Sequence, residues 1–159
     1  MSSILSQSCC GVCNLHADPA QKERYEISRN DLWVLRHHPD PAPLPGWLLL
    51  DACRHFGGPM DFNHKEAAAW GGAVQRASNL VQQLTACQRV YAVAFGEGAR
   101  HLHLHLIPRV AMDPASEAWK VADLYRALMA GERAAAPPNA VDALVRQARE
   151  LWGGFGEAN

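Results

Sequence analysis

The sequence predicts an α+β fold: a five-stranded antiparallel sheet with one long helix and extra C-terminal helices. Short segments rich in β-favouring or apolar residues supply the strands. Most of them follow one another without a helix between, whereas a parallel, doubly wound sheet needs a helix after nearly every strand. One long amphipathic segment separates the third strand from the fourth, and two further helical segments follow the fifth.

The first three strands are predicted at residues 25–28, 32–36 and 47–50. The first two are brief β-rich runs on either side of the turn-prone sequence Arg29-Asn30-Asp31. The third is continuously apolar, a pattern typical of a strand buried on both faces. Four prolines between residues 39 and 45 separate the second strand from the third, and they predict a rigid loop.

The long helix is predicted to begin at Asn63, because Glu66 three residues later can complete a capping box. Apolar residues then repeat at spacings of three and four, which gives a helix of about twenty residues one apolar face. These residues are Ala67, Trp70, Val74, Ala77, Val81 and Leu84.

The last two strands are predicted at residues 90–95 and 101–107, joined as a hairpin by the turn Gly96-Glu97-Gly98. Pro108 is expected to end the second of them, because proline has no N–H to donate to a neighbouring strand. Two helices are predicted after it, at residues 116–130 and 140–152, with Pro137-Pro138 between them.

Length and composition indicate one domain over residues 1–159 and exclude some partners. The 15 Lys and Arg residues nearly balance the 16 Asp and Glu residues, whereas a nucleic-acid polymer or an anionic membrane requires a basic face. No apolar stretch reaches the roughly eighteen residues of a transmembrane helix. The first ten residues lack the charged and apolar regions of a signal peptide, so a cytoplasmic location is expected.

The most informative pattern is the alternation of His101, His103 and His105 with leucines. Side chains two residues apart share one face of a strand, so the three imidazoles are expected on one side and the leucines on the other. Imidazole acts as a nucleophile, a proton carrier or a metal ligand. A three-histidine metal site and a solvated, imidazole-rich face are the alternatives to a catalytic site.

Cysteine spacing adds a second chemical pattern near the N-terminus. Three of the five cysteines lie at positions 9, 10 and 13, and a Cys-x-x-Cys spacing suits two thiolates on one zinc ion. A redox pair is the competing interpretation, but no thioredoxin-like βαβ context surrounds the motif. His16 is a feasible local ligand, and Cys9 could replace Cys10.

The segment His101-Leu-His103-Leu-His105-Leu-Ile-Pro-Arg109 resembles the signature of the histidine-triad superfamily of nucleotide hydrolases and transferases. Upstream, Pro45-Gly46-Trp47 and the closing Arg54-His55 are similar to a strand of that family. Cys10-x-x-Cys13 resembles the opening of its zinc-bearing members. The resemblance covers residues 9–112 and leaves 113–159 as a C-terminal helical extension.

The resemblance implies a role for each histidine of the motif. His103 would attack the α-phosphorus and form a nucleotidyl-histidine, which water or another acceptor resolves. Its second ring nitrogen would be held as N–H by a backbone carbonyl. His105 would donate to a phosphate oxygen in the transition state. His101, a catalytic helper in a plain triad, would join His55, Cys10 and Cys13 as ligands of a structural Zn²⁺.

The sequence departs from the family pattern at the substrate-binding positions. Trp47 stands where many members have histidine, and it could flank a base or pack in the core. Residues 95–100 contain no Gln or Ser to bind phosphate; Arg100 either replaces those donors or is simply exposed. Arg109 could also reach a phosphate or form a structural ion pair, and His37 could contact the ribose or lie at the surface.

The expected function is hydrolysis of a nucleoside 5′-phosphoryl bond in a dinucleoside polyphosphate or a nucleoside phosphoramidate. The resemblance also implies a homodimer. The alternatives are a nucleotidyl transferase and a nucleotide-binding or scaffold protein with negligible turnover. The missing Gln and Ser donors keep the scaffold alternative open.

Overall fold

The computed structural model of the protein describes residues 10–154. Five strands and six α-helices make up this part of the chain, together with 3₁₀ turns at Pro59–Asp61 and Pro114–Ser116. In chain order the elements are α1 (Gly11–Ala17), α2 (Pro19–Tyr25), β1 (Glu26–Arg29), β2 (Trp33–His37), β3 (Leu48–Ala52), α3 (His64–Thr85), β4 (Arg89–Val93), β5 (His103–Arg109), α4 (Ala118–Val121), α5 (Asp123–Met129) and α6 (Pro138–Gly154).

The strands form one antiparallel sheet in the order β1-β2-β3-β5-β4, which confirms the predicted fold class. The last strand in the chain enters between β3 and β4. The strand that carries His103 and His105 therefore has a neighbour on each side. Strand β3 places Asp51 opposite His103 and Leu49 opposite His105.

Side-chain alternation divides the sheet into two faces. The leucines of β5, with Leu48 and Leu50 of β3, bury one face against α3 and α6, in a core that includes Leu80, Val81, Val141 and Val145. His103 and His105 lie on the opposite face. There a smaller cluster packs Trp47, Leu49 and Ile107 against Val121 and Leu124 of the C-terminal segment.

The long helix begins as predicted. Asn63 is its N-cap: the Asn63 side chain accepts from the Glu66 N–H, and the Glu66 carboxylate accepts from the Asn63 N–H. Glu66 also binds Arg54 through two hydrogen bonds of 3.1 and 2.8 Å. The capping box therefore ties the start of α3 to the segment that follows β3.

Both ends of β5, the strand that carries His103 and His105, differ from the prediction. His101 precedes the strand, and residues 94–102 form a longer connection than a tight hairpin turn. Pro108 does not end the strand, which continues to Arg109 beside β4. Pairing with β3 extends only to Leu106, so a single neighbouring strand lies beside Pro108 and the missing N–H costs little.

The N-terminal and C-terminal segments also differ in detail. The predicted knuckle is a pair of short helices, and Asp18 caps the second by accepting from the Ala20 N–H. The helix predicted at 116–130 is divided into a 3₁₀ turn, α4 and α5. The last helix begins earlier than predicted, at Pro138, because the first turn of a helix requires no N–H from proline. Across residues 10–154, no helix combines the length and apolarity needed to cross a membrane.

Candidate functional site

His103 is half-buried on β5, and a backbone contact fixes its tautomer. Its Nδ1 lies 2.6 Å from the carbonyl oxygen of His101. A carbonyl can only accept, so Nδ1 carries a proton, and in the neutral ring Nε2 keeps its lone pair. This is the arrangement that a nucleophilic imidazole requires.

His105 has the opposite tautomer. The indole Nε1–H of Trp47 donates to Nδ1 of His105 over 3.0 Å, and an indole nitrogen can only donate. Burial, followed by the neighbouring His103 and His38, lowers the pKa of His105 to about 3. The ring is therefore neutral at pH 7, with its proton on Nε2. Because the two rings lie 5.2 Å apart, the site presents an unprotonated nitrogen beside an N–H donor.

Two adjoining clefts open at these rings. One of about 500 Å³ is walled by Phe95, Val121 and Tyr125, with Trp47 behind them. The other, about 400 Å³, lies toward α1 and is lined by Arg36 and Leu15 among others. His103, His105, Gly98 and Tyr125 contribute to both.

Tyr125 is a wall residue that the sequence did not predict. Its hydroxyl donates to Nε2 of His38 over 2.6 Å, because Nδ1 of His38 donates to the Pro39 carbonyl over 2.7 Å. Burial lowers the pKa of His38 to about 4 and raises the pKa of Tyr125 to about 12, so the pair is neutral at pH 7. Tyr125 lies in the C-terminal extension, outside the motif-bearing segment, and no sequence pattern marks it.

A second group of side chains lies at the start of the histidine strand. The ligand atoms of Cys10, Cys13, His55 and His101 all lie within 4.8 Å of one another. Nδ1 of His101 lies 3.6 Å from the Cys10 sulfur and 3.4 Å from the Cys13 sulfur, and Nδ1 of His55 lies 3.4 Å from Cys13. Tetrahedral zinc, with Zn–S of about 2.3 Å and Zn–N of about 2.0 Å, places S and N roughly 3.5 Å apart. The donor set therefore fits Zn²⁺.

The surroundings of this group support a metal site. Nε2–H of His101 donates to the Ala52 carbonyl over 2.7 Å, which turns Nδ1 toward the two sulfurs. Burial, followed by the nearby Cys10, raises the pKa of the Cys13 thiol to about 11, and a bound cation would reverse that direction. Zinc here would tie α1 to the ends of β3 and β5. Of the two alternative ligands, His16 binds Asp51 instead, and Cys9 lies outside the described residues.

Three other predicted substrate residues lie away from the clefts. His37 is fully buried: its Nδ1–H donates to the His38 carbonyl over 2.8 Å, and its Nε2 accepts from the Gly46 N–H over 2.9 Å. Arg109 donates to the carbonyls of Val110 and Asp113 and to the Ser116 hydroxyl. Arg100 is exposed. Of the four substrate-binding candidates, the structure brings Trp47 alone to the histidines, as a buried wall.

A buried charged network lies beside the histidines and was also missed. Arg36 on β2 donates to Asp51 on β3 through Nε over 2.6 Å and Nη2 over 3.4 Å. Nε2–H of His16 donates to the same carboxylate over 2.9 Å. Burial alone would raise the pKa of Asp51, but Arg36 and His16 together hold it below its usual value. The three residues are far apart in sequence: the register of β2 and β3 brings Arg36 to Asp51, and α1 brings His16 to them.

Comparison with known proteins identifies the class of fold. A Zn-bound histidine triad family protein from Mycobacterium smegmatis matches with a TM-score of 0.65 and 14% identity, over 94% of this chain and 99% of that chain. A histidine triad protein from Bradyrhizobium japonicum matches at 0.61 and 22%, over 84% and 94%. A Hit-like protein from Bartonella henselae matches at 0.61 and 16%, over 89% and 95%. No family model and no curated protein sequence matches. The chain therefore has the histidine-triad fold, as its motif predicted.

We expect the Trp47→Phe variant to lower the free energy of unfolding by about 1–3 kcal/mol, because the buried Nδ1 of His105 loses its hydrogen-bond donor. Urea unfolding measures the effect. Trp119→Phe is the control, because Trp119 is 94% exposed. An unchanged free energy of unfolding in Trp47→Phe would contradict a role for the indole in holding His105.

Proposed function

We propose that the protein cleaves a nucleoside 5′-phosphoryl bond through a covalent nucleotidyl-histidine formed on His103. The observation that carries this proposal is the pair of complementary tautomers, with a lone pair on Nε2 of His103 and an N–H on Nε2 of His105. A neutral imidazole approaches an anionic phosphate without adding negative charge. The adjacent N–H can stabilise charge that develops on a phosphate oxygen.

The reaction proceeds in two balanced steps. In the first, the lone pair of His103 Nε2 forms a bond to the α-phosphorus while the bond to the leaving group breaks, and the leaving group takes up a proton from solvent. In the second, water attacks the same phosphorus while the bond from phosphorus to His103 Nε2 breaks, and the attacking water gives a proton to solvent. The His101 carbonyl holds the Nδ1–H throughout and stabilises the positive charge on the nucleotidylated ring.

Zinc has a structural role in this proposal. When bound, it would stabilise the fold by cross-linking α1 to the ends of two central strands, with Cys10, Cys13, His55 and His101 as ligands. Four protein ligands complete a tetrahedron and leave no open position for a substrate. The chemistry at phosphorus is then carried by His103 and His105.

The test is incubation of the purified protein with a diadenosine polyphosphate and with an adenosine phosphoramidate, followed by product analysis. Release of AMP into water supports hydrolysis. Transfer of the nucleotide to added phosphate or sugar phosphate, with no hydrolysis, identifies a nucleotidyl transferase. Tight binding without cleavage of either compound contradicts the proposal and favours a nucleotide-binding or scaffold protein.

The charge of the cleft walls favours the phosphoramidate. Glu97 lines the larger cleft, and among the described residues of its wall there is no Lys or Arg. A polyphosphate leaving group would bring several negative charges against this carboxylate, whereas an amine leaving group would not. The homodimer and the cytoplasmic location stay predictions, and light scattering tests the first.

A further inference from the structure

We propose that Arg36 binds the phosphoryl group in the cleft, and that Asp51 and His16 position its guanidinium. This inference rests on the proposed function, because the phosphoryl group in question is the one that His103 attacks. It assigns the phosphate contact to a residue of β2, in place of the donors that the sequence lacks before the histidine strand.

Strand register places Arg36 on the same face as the reactive histidines. Arg36 is opposite Leu49, and Leu49 is opposite His105, so the three residues form one row across β2, β3 and β5. Neighbouring strands lie about 4.8 Å apart, so the Cα atoms of Arg36 and His105 are roughly 10 Å apart. An arginine side chain can span much of this distance. Arg36 in fact lines the same cleft as His103 and His105.

An anionic phosphate in these clefts would need a positively charged partner, and Arg36 is the candidate. Among the described residues that line the two clefts, no other Lys or Arg occurs. His105 and His38 are neutral at pH 7, because burial lowers their pKa values to about 3 and 4. A nucleotide phosphate therefore meets one Lys or Arg side chain here. The positive charge of Arg36 also helps to lower the pKa values of His105 and His38, so its field reaches both rings.

The guanidinium retains hydrogen-bonding capacity. Its two bonds to Asp51 use Nε and Nη2, and within residues 10–154 no bond engages Nη1. Arginine has five N–H donors, so a fork remains for a phosphate oxygen. Asp51 is fully buried and holds the other edge of the guanidinium, while His16 binds the same carboxylate. His16 thus lets Asp51 keep its charge and its orientation.

The alternative is a purely structural ion pair. Buried pairs of this kind contribute little net stability compared with apolar residues, so structural need alone is weak support for one. Removing a purely structural pair would weaken the binding of AMP and adenosine to the same extent, or would change neither affinity. A phosphate-binding arginine discriminates between a nucleotide and the corresponding nucleoside. That difference separates the two interpretations.

The test measures dissociation constants of AMP and adenosine by calorimetry for four variants. Arg36→Met/Asp51→Leu removes both charges, so neither is left buried alone. We expect AMP binding to weaken about 10- to 100-fold and adenosine binding to stay within about twofold. Arg36→Lys keeps the charge but loses the fork, and it should give an intermediate AMP affinity. His16→Ala should weaken AMP alone, and His16→Gln, which can still donate to Asp51, should restore it.

Arg126→Met is the matched control, because Arg126 is an exposed arginine one residue beyond Tyr125 and its loss should leave AMP affinity unchanged. Equal weakening of AMP and adenosine, or no weakening of AMP, overturns the proposal. If the double variant does not fold, the Arg36→Lys and His16 variants decide by the same comparison. Binding is measured without turnover: a wild-type protein that selects AMP through Arg36 but cleaves nothing refutes only the proposed function.

Discussion

The His103→Ala variant should lose about 10³- to 10⁴-fold in the rate of cleavage of an adenosine phosphoramidate. The first bond to phosphorus forms at Nε2 of His103. The other cleft ring whose Nδ1 donates to a backbone carbonyl is His38, and its Nε2 already accepts from the Tyr125 hydroxyl. Nucleophile loss removes the covalent path and leaves only the contribution of substrate binding and the neighbouring donor. AMP affinity should change little, because Arg36 and His105 remain.

Trapping the intermediate gives a second measurement of the same prediction. Wild-type protein mixed with labelled phosphoramidate and quenched at alkaline pH should retain one labelled nucleotide, attached at His103. The variant should retain none. His64→Ala is the control, because His64 is an exposed histidine in the first turn of α3. Full turnover by His103→Ala would refute the nucleophile assignment, and turnover without trapped label in the wild type would favour direct attack by water.

The sequence predicted the elements that depend on local periodicity. Alternation along residues 102–106 predicts which side chains share a face, and the spacing from Asn63 to Glu66 predicts the start of α3. The Cys2His2 group was also predicted, because the resemblance supplied two histidines distant from the Cys-x-x-Cys motif. The predicted histidine strand begins two residues too early, because the observed strand starts at His103. The His101 ring is turned toward the two sulfurs, and its Nε2–H binds the Ala52 carbonyl.

The missed parts of the site depend on pairing between distant segments. Trp47 reaches His105, and Arg36 reaches Asp51, only because of the register of β2, β3 and β5. Side-chain period predicts a face but not its partner across the sheet. Tyr125 is brought to the cleft by α5, whose packing on Trp47 follows from no motif. Polar residues that lie outside a known motif are therefore the part of a site that is hardest to predict from sequence.

Loss of the zinc site should have the largest effect on stability. We expect wild-type protein to contain one zinc per chain and the Cys10→Ser variant to contain little. A Cys2His2 site is rarely formed in the unfolded chain, so the free energy of zinc binding contributes to the stability of the fold. Cys10 and Cys13 lie on or beside α1, a seven-residue helix that is too short to be stable alone, whereas His55 and His101 flank the central strands. Bound zinc would therefore add a second link between this helix and the sheet, beside the hydrogen bond from His16 to Asp51.

The free energy of unfolding of Cys10→Ser should fall by at least about 3 kcal/mol. For a chain of this size the melting temperature should then fall by roughly 6–12 °C. Metal analysis and thermal unfolding measure the two effects, and a chelator should reproduce the second in wild-type protein. Cys53→Ser is the control, because the Cys53 thiol donates to the Asn30 carbonyl and lies outside the group. Unchanged zinc content in Cys10→Ser would refute these ligands, and loss of zinc in Cys9→Ser instead would show that Cys9 takes the place of Cys10.

Metal loss should also weaken AMP binding more than adenosine binding. His16 lies on the same helix as Cys13, and it binds the Asp51 carboxylate that positions Arg36.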